Sequence, residues 1–284
     1  MPSNLNPVTF APLVQTPLQP RQGRTGSAGI RAVCLDVDDT LVDYTGSAIA
    51  GLRAMLGGLD DDGLDDDTLD DGGVDDDTAR EPSEAQWELW QRITDAHLAS
   101  VIAGTLDYRH MHARRTKAFL AAIGRPVDDA GARRLEAVRR RAMRAAWRLF
   151  PDALPCLQWL RAIGLRIAGV TNASGEHQRA KLAALGVAEY FDTLVIAGEL
   201  GVAKPDPAIF HTACLDLGVR REDTVHIGDK LDVDAIGAHD AGLRGVWLNR
   251  LGTPTRHRRP GVLELDSLAE LPELLVCELE LAVL

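Results

Sequence analysis

A short apolar run that ends in three carboxylates constrains the fold of this chain more than any other segment. Residues 30–35 predict a buried β-strand, and Asp36, Asp38, Asp39 and Thr40 follow it closely. Open parallel sheets bind ligands beyond the carboxyl ends of their strands, so these acids are predicted to lie at a ligand site. Like charges this close together are costly unless a cation or a proton offsets them. The pattern therefore favours a metal-assisted site, with an acidic turn as the structural alternative.

Three later segments supply further polar residues next to strand-like apolar runs. Their candidate positions are Thr171, Asn172, Lys204, Asp229 and Asp234. Taken alone, each has a structural explanation as a helix cap or a solvated charge. Their order and their shared position at strand ends favour a single convergent site.

Together these segments resemble the four motifs of the haloacid dehalogenase-like (HAD) superfamily of hydrolases. Residues 36–40 match its first motif, Thr171 the second, Lys204 the third, and Asp229 with Asp234 the fourth. The resemblance runs from about position 31 to about position 250 and leaves a long insertion between the first and second motifs.

One stretch of the chain resembles a particular subgroup of this superfamily, and one residue differs from the pattern of its fourth motif. Residues 191–209 look most like the capped subgroup that contains nucleotidases and sugar-phosphate phosphatases. A small hydroxyl residue is common after the Gly-Asp pair of the fourth motif, whereas this chain has Lys230. That difference alters the local charge balance and leaves the carboxylate of Asp229 in place.

The predicted fold is α/β: a Rossmann-like parallel sheet with helices on both faces, plus a helical cap inserted after the first strand. Its predicted strands are 31–35, 165–170, 193–197, 224–228 and 244–248, with helices at 175–185, 206–217 and 232–241, and a short strand and a helix after position 262. The predicted domains are a disordered tail (1–29), an α/β catalytic core (30–43 and 151–284) and a helical cap (44–150) that contains an acidic disordered loop (60–83).

The resemblance implies a Mg²⁺ site and covalent catalysis. A phosphate monoester is a dianion, so a carboxylate approaches its phosphorus only if positive charge screens the repulsion. The implied ligands are the side chains of Asp36 and Asp229 and the main-chain carbonyl of Asp38. Asp36 would also be the nucleophile that forms an aspartyl-phosphate, and Asp38 would act as general acid and then as base.

Four further residues have predicted roles around the phosphoryl group. Thr171 would hydrogen-bond a phosphoryl oxygen, Lys204 would neutralise charge on the nucleophile, and Asp234 would orient Lys204 or a metal-bound water. Asn172 is a candidate phosphate donor, with a structural turn role as the alternative. In the predicted cap, Arg114, together with the neighbouring His110, His112 and Arg115, is a candidate substrate contact, the alternative being a solvated helix face.

The predicted function is Mg²⁺-dependent hydrolysis of a small phosphate monoester, of the nucleotide or sugar phosphate class, through an aspartyl-phosphate. Two alternatives remain at the level of sequence. A haloacid dehalogenase would use Asp36 on carbon but would not need the acids at positions 38 and 229. A non-catalytic binding protein would keep the fold and recruit a partner through its acidic loop or a basic cap helix.

The composition of the chain indicates which binding partners and which cellular location to expect. Residues 60–77 contain eleven aspartates, which equals the whole net charge of −11, so the acidity is local. No run approaches the roughly 20 apolar residues of a membrane helix, and acidic residues elsewhere argue against a nucleic-acid surface. The four cysteines are widely spaced, which favours free thiols and a cytoplasmic location. A small phosphorylated metabolite is the expected partner, and the oligomeric state is not defined.

Overall fold

The computed structural model describes residues 29–59, 81–255 and 259–278. These residues fall into two compact units, one formed by Asp43–Arg148 and the other by the chain up to Val42 and from Leu149. The division into a catalytic core and a functional cap stays a prediction. Most of the predicted tail (residues 1–28) and of the predicted acidic loop (residues 60–80) lies outside the described residues.

The larger unit is built on a parallel sheet of six strands in the order β3-β2-β1-β4-β5-β6. The strands are β1 (Ala32–Leu35), β2 (Arg166–Thr171), β3 (Thr193–Ile196), β4 (Thr224–Gly228), β5 (Arg244–Leu248) and β6 (Leu263–Leu265). The predicted α/β fold with a Rossmann-like sheet is confirmed. Near-continuous apolar strands are expected of a sheet that is covered on both faces, and every residue of β1 is buried.

The position of β1 in the sheet determines where the site forms. Leu35, its last residue, is in register with Gly169 of β2 and Ile227 of β4, so the three strands end within two residues of one another. Strands β2 and β3 lie on one side of β1, and strands β4, β5 and β6 lie on the other. The strand order therefore reverses at β1, and in doubly wound folds ligands bind at such a switch point. The residues that follow β1, β2 and β4 are therefore brought to one edge.

Within the described residues, six α-helices accompany the sheet. They are α5 (Ala153–Ala162), α6 (Gly175–Ala184), α7 (Ala197–Leu200), α8 (Pro207–Leu217), α9 (Gly237–Asp240) and α10 (Leu271–Glu273), numbered after the four helices of the other unit. Helix α8 has complete start and stop signals: Asp206 caps it, Pro207 opens it, and Gly218 ends it with φ of 65°. A helix was predicted over 232–241, but a π-helical turn, Leu231–Ile236, precedes the short α9.

In the part of the smaller unit that the structure describes, the regular structure is helical. Its helices are α1 (Tyr44–Gly57), α2 (Glu84–Ile102), α3 (Tyr108–Ala122) and α4 (Asp129–Ala145). Leu52, Trp90 and Phe119 lie in its buried core, with the Trp90 and Phe119 rings edge to face at 5.2 Å. None of the helices that the structure describes combines the length and apolar character needed to cross a membrane.

A buried ionic cluster ties α3 to α4 within this unit. Glu136 accepts two hydrogen bonds of 2.8 Å from Arg139 and one of 2.7 Å from Thr116, and Arg115 lies 3.3 Å from it. The guanidinium of Arg115 also stacks 4.3 Å from the ring centroid of Trp90. Arg115, a candidate substrate contact from the sequence, is thus buried in an internal ion network.

His112 borders the same cluster and makes it sensitive to pH. Burial, reinforced by Arg115 and opposed by Glu136, lowers the pKa of His112 from 6.5 to about 3. Because the folded pKa is the lower one, the stabilising contribution is complete above pH 6.5 and is lost as the pH falls toward 3. Between pH 6.5 and about pH 4.5 this residue alone is expected to reduce the free energy of unfolding by about 2 to 3 kcal/mol.

Chemical denaturation across this pH range tests the expectation. A His112→Gln variant should show a shallower loss of stability on acidification than the wild type. A His110→Gln variant is the matched control, because the side chain of His110 is 76% exposed on the same helix and should leave the slope unchanged. Equal slopes in His112→Gln and wild type would show that His112 does not couple protonation to folding.

Candidate active site

The ends of the central strands bring three carboxylates together. Asp36 follows β1, Asp229 follows β4, and Asp234 lies in the π-helical turn after it. One carboxylate oxygen from each of the three residues lies within 4.8 Å of the others. The spacing allows Asp36 and Asp229 to share an ion, which is the geometric condition on which the sequence-based hypothesis depends.

Lys204 links two of these acids. Its Nζ lies 2.6 Å from Asp36 Oδ1 and 2.7 Å from Asp234 Oδ1, and it donates a 2.7 Å hydrogen bond to the carbonyl of Val170. The residue is 5% exposed, so these three acceptors take the place of water around the ammonium. The arrangement holds a cation beside Asp36, as charge neutralisation requires.

The hydroxyl of Thr40 fixes the loop that follows β1. Thr40 donates to Asp36 Oδ2 at 3.1 Å and accepts from the backbone N–H of Asp229 at 3.1 Å, which joins the first and fourth motifs. Asp39 has φ of 60°, a left-handed conformation that Asp tolerates better than most residues. From outside the motifs, Arg250 donates to the carbonyl of Thr40 at 2.8 Å.

Asp38 lies in the same loop and pairs with a lysine that the sequence analysis missed. Lys181 Nζ on α6 contacts Asp38 Oδ1; the lysine side chain has no exposed surface and that of Asp38 is 25% exposed. The sequence does contain a signal for Lys181: it is adjacent to Leu182 and three residues after Gln178, and this spacing places the three side chains on one face of α6, which is buried. A lysine at a core-facing position predicts a buried partner.

Thr171 and Asn172 end the second strand with different contacts. Thr171 is 1% exposed, and its hydroxyl accepts a hydrogen bond of 3.1 Å from Gln178 Nε2. The Asn172 side chain donates to the carbonyl of Lys204 at 2.9 Å and accepts from its N–H at 2.8 Å. Both polar groups of Asn172 are therefore engaged with the Lys204 backbone, which supports the turn role that the sequence left open.

Burial and the neighbouring carboxylates disfavour the ionised forms of Asp229 and Asp36. Burial, followed by the charges of Asp36 and Asp234, raises the pKa of Asp229 well above its usual range. Burial also raises the pKa of Asp36, because it outweighs the opposing effect of Lys204. An all-oxygen cluster with excess negative charge is a donor set that fits a divalent cation such as Mg²⁺.

Asp234 differs from the other two acids in its partners. Its Oδ1 lies 2.7 Å from Lys204 Nζ and 3.4 Å from His226 Nε2, and its Oδ2 accepts from the N–H of Lys230 at 3.0 Å. Although burial opposes ionisation, Lys204 and His226 together hold the pKa of Asp234 below its usual range. His226, which is buried in β4, was also missed from the sequence.

The remaining candidates lie in the helical unit. Arg114 is exposed on α3, whereas the adjacent Arg115 is buried against Glu136. The sequence-predicted residues Asp36, Asp38, Thr171, Lys204, Asp229 and Asp234 all lie around the carboxyl ends of β1, β2 and β4.

Fold and site define an enzyme of the doubly wound α/β class with an acidic centre. The chain belongs to the haloacid dehalogenase-like hydrolase family, whose sequence profile matches residues 30–242.

The chain is also similar to individual proteins. The glyceraldehyde 3-phosphate phosphatase of Methanopyrus kandleri is 30% identical over 227 residues, covering 78% of this chain and 84% of the relative. A 2-haloacid dehalogenase structure from Pseudomonas syringae is 27% identical with a TM-score of 0.59, covering 87% of this chain and 98% of the other. Magnesium-bound YfnB from Bacillus subtilis shares the fold at 22% identity, with a TM-score of 0.65 over 87% of this chain and 99% of YfnB.

Proposed function

We propose that this protein is a Mg²⁺-dependent phosphatase that hydrolyses a small phosphate monoester through an aspartyl-phosphate. The observation that carries the proposal is the grouping of Asp36, Asp229 and Lys204, with Asp38 in the same loop. The relative from M. kandleri, named a glyceraldehyde 3-phosphate phosphatase, supports the reaction type.

The cation would be held by the side chains of Asp36 and Asp229 and by the main-chain carbonyl of Asp38. When bound, it would supply the positive charge that lets an anionic nucleophile approach an anionic phosphoryl group. The burial of Asp229 beside Asp36 and Asp234 supports this assignment, since a cation would offset the charge that is buried there.

The chain's own residues would carry both chemical steps. A carboxylate oxygen of Asp36 forms a bond to phosphorus while the ester P–O bond breaks, and Asp38 gives its proton to the leaving oxygen. Water then attacks the same phosphorus, Asp38 takes a proton from that water, and the bond between phosphorus and Asp36 breaks. The products are the alcohol and inorganic phosphate, and both acids return to their initial states.

Three residues would position the reacting groups. Lys204 neutralises charge on Asp36 and the transferring group, and Asp234 orients Lys204 through their 2.7 Å contact. Thr171 donates its hydroxyl hydrogen to a phosphoryl oxygen. Arg114 is proposed as a substrate contact from the helical unit.

A cytoplasmic location is also proposed. The free thiols of the four cysteines support it.

The dehalogenase alternative has a specific observation against it. Attack on carbon leaves a halide, so Asp38 would have no leaving group to protonate, and the reaction would not need a metal carboxylate at position 229. The similarity to a 2-haloacid dehalogenase keeps this reaction as the comparison to test. The buried pair of Lys204 and Asp36 argues against a non-catalytic binding protein.

Product analysis with and without Mg²⁺ separates these functions. The purified protein is expected to release phosphate from p-nitrophenyl phosphate in Mg²⁺, and removing the metal with EDTA should slow this release by about 100-fold or more. Release of halide from 2-chloropropionate without metal would instead identify a dehalogenase. A folded, Mg²⁺-loaded sample that releases neither product would support the binding protein. A screen of nucleoside monophosphates and sugar phosphates then selects the substrate.

A further inference from the structure

We propose that Lys181 is a positioning residue for Asp38, and this inference rests on the proposed phosphatase function. Lys181 contacts Asp38 Oδ1 across 143 residues of sequence, from a helix that carries none of the four motifs. A fully buried ammonium is rare unless it is paired, because it must give up its hydration. The structure thus uses a costly group to fix one oxygen of the proposed general acid.

The position of Lys181 excludes direct contact with substrate. Its side chain has no exposed surface, whereas the Asp38 side chain is 25% exposed. The lysine therefore lies behind the aspartate, and any effect on the reaction passes through Asp38.

Helix α6 holds the lysine in place. Gln178, Lys181 and Leu182 lie on its buried face, and Gln178 donates to Thr171 from the same face. One packed helix surface therefore supports both the first-motif loop and the second-motif threonine. A carboxylate held from one side in this way has less rotational freedom than one in an open loop.

The contact engages Oδ1 of Asp38, and the proposal assigns proton transfer to the other oxygen, Oδ2. Asp38 can then pass its proton to the leaving oxygen and later accept one from water without moving. The proposal assigns no proton transfer to Lys181, so the balance of the reaction is unchanged.

Leaving-group dependence tests this role. The kcat/KM value covers the steps up to formation of the aspartyl-phosphate, where p-nitrophenolate needs little protonation and an alkoxide needs a proton. In a Lys181→Met variant, kcat/KM for glycerol 2-phosphate is expected to fall by about 100-fold or more, and that for p-nitrophenyl phosphate by less than about tenfold. Equal losses on the two esters would overturn the proposal.

A double-mutant cycle shows whether Lys181 acts through Asp38. In an Asp38→Asn background, adding Lys181→Met should change kcat/KM for glycerol 2-phosphate by less than about twofold. Multiplicative losses in the double variant would mean that the lysine acts independently. Lys117→Met is the matched control, because Lys117 is 47% exposed and pairs with Asp129 in the helical unit.

A second variant guards against misfolding. Lys181→Gln keeps an N–H donor on a side chain that is one bond shorter, and it should recover part of the glycerol 2-phosphate activity that Lys181→Met loses. If it recovers none while both variants melt like the wild type, the proposal fails. A wild-type protein inactive on both esters would instead refute the proposed function itself.

Discussion

Replacing Asp36 with Asn is expected to reduce phosphate release by about 10⁴-fold or more while the protein stays folded. The amide has nearly the same shape: its oxygen can still accept from Lys204, which lies 2.6 Å from Oδ1, and its NH2 group can donate to the Thr40 hydroxyl, which lies 3.1 Å from Oδ2. It lacks the nucleophilic anion that forms the aspartyl-phosphate. Initial rates with p-nitrophenyl phosphate, measured beside thermal unfolding, test both parts of the expectation.

Trapping identifies the nucleophile directly. Quenching the wild type during turnover and reducing the acyl phosphate with borohydride should convert Asp36 to homoserine, which peptide mass spectrometry detects. Asp39→Asn is the matched control in the same loop, because its φ of 60° also suits Asn, and it should keep activity within about threefold. Homoserine at another acid, or an Asp36→Asn variant with more than a tenth of wild-type activity, would contradict the proposed nucleophile.

The sheet could be predicted from the sequence because its strands are buried on both faces. The run at Ala32–Leu35 is apolar throughout, and a polar cluster follows it directly, so both the strand and its end are visible. Thr171 is the last residue of β2, one residue beyond the predicted end of that strand. Side chains at strand ends could be grouped for the same reason, since parallel strands present their carboxyl ends at one edge.

The turn that holds Asp234 could not be predicted, because close backbone packing determines it. A Cβ on Gly228 would lie 2.3 Å from Asp234 Cγ, and one on Gly245 would lie 2.0 Å from the carbonyl oxygen of Ala235. Both glycines let Leu231–Ile236 press against β4 and β5 as a π-helical turn. Apolar periodicity carries no information about such approaches, so an ordinary helix was predicted.

The buried polar pairs also could not be predicted from the sequence. Lys181 and Asp38 are 143 residues apart, and Arg115 meets Glu136 between two helices. A basic residue in a helical pattern usually indicates a solvated face. The pairing that makes burial tolerable becomes visible only when both partners are located in space.

Changing Asp229 to Asn is expected to raise the Mg²⁺ concentration for half-maximal activity by about 100-fold or more, with activity partly restored at saturating metal. Asp229 is the acid of the cluster whose charge is least compensated, because its neighbours Asp36 and Asp234 both contact Lys204. Losing a charged ligand of Mg²⁺ weakens the site more than losing a group that only orients a ligand. A Mg²⁺ titration of initial rates measures the shift, and Asp232→Asn, an exposed position in the same turn, should leave the titration unchanged.

An Asp234→Asn variant separates the ligand role from the orienting role. Both oxygens of Asp234 already have protein partners, Lys204 at 2.7 Å and the N–H of Lys230 at 3.0 Å. This variant should therefore lower kcat by misplacing Lys204, while the half-saturating Mg²⁺ concentration moves by less than about tenfold. Should the two variants exchange these behaviours, Asp234 would be the ligand and Asp229 the supporting acid. Proximity alone does not distinguish these assignments, since all three carboxylates lie within 4.8 Å, and the distinction depends on the hydrogen bonds that occupy Asp234.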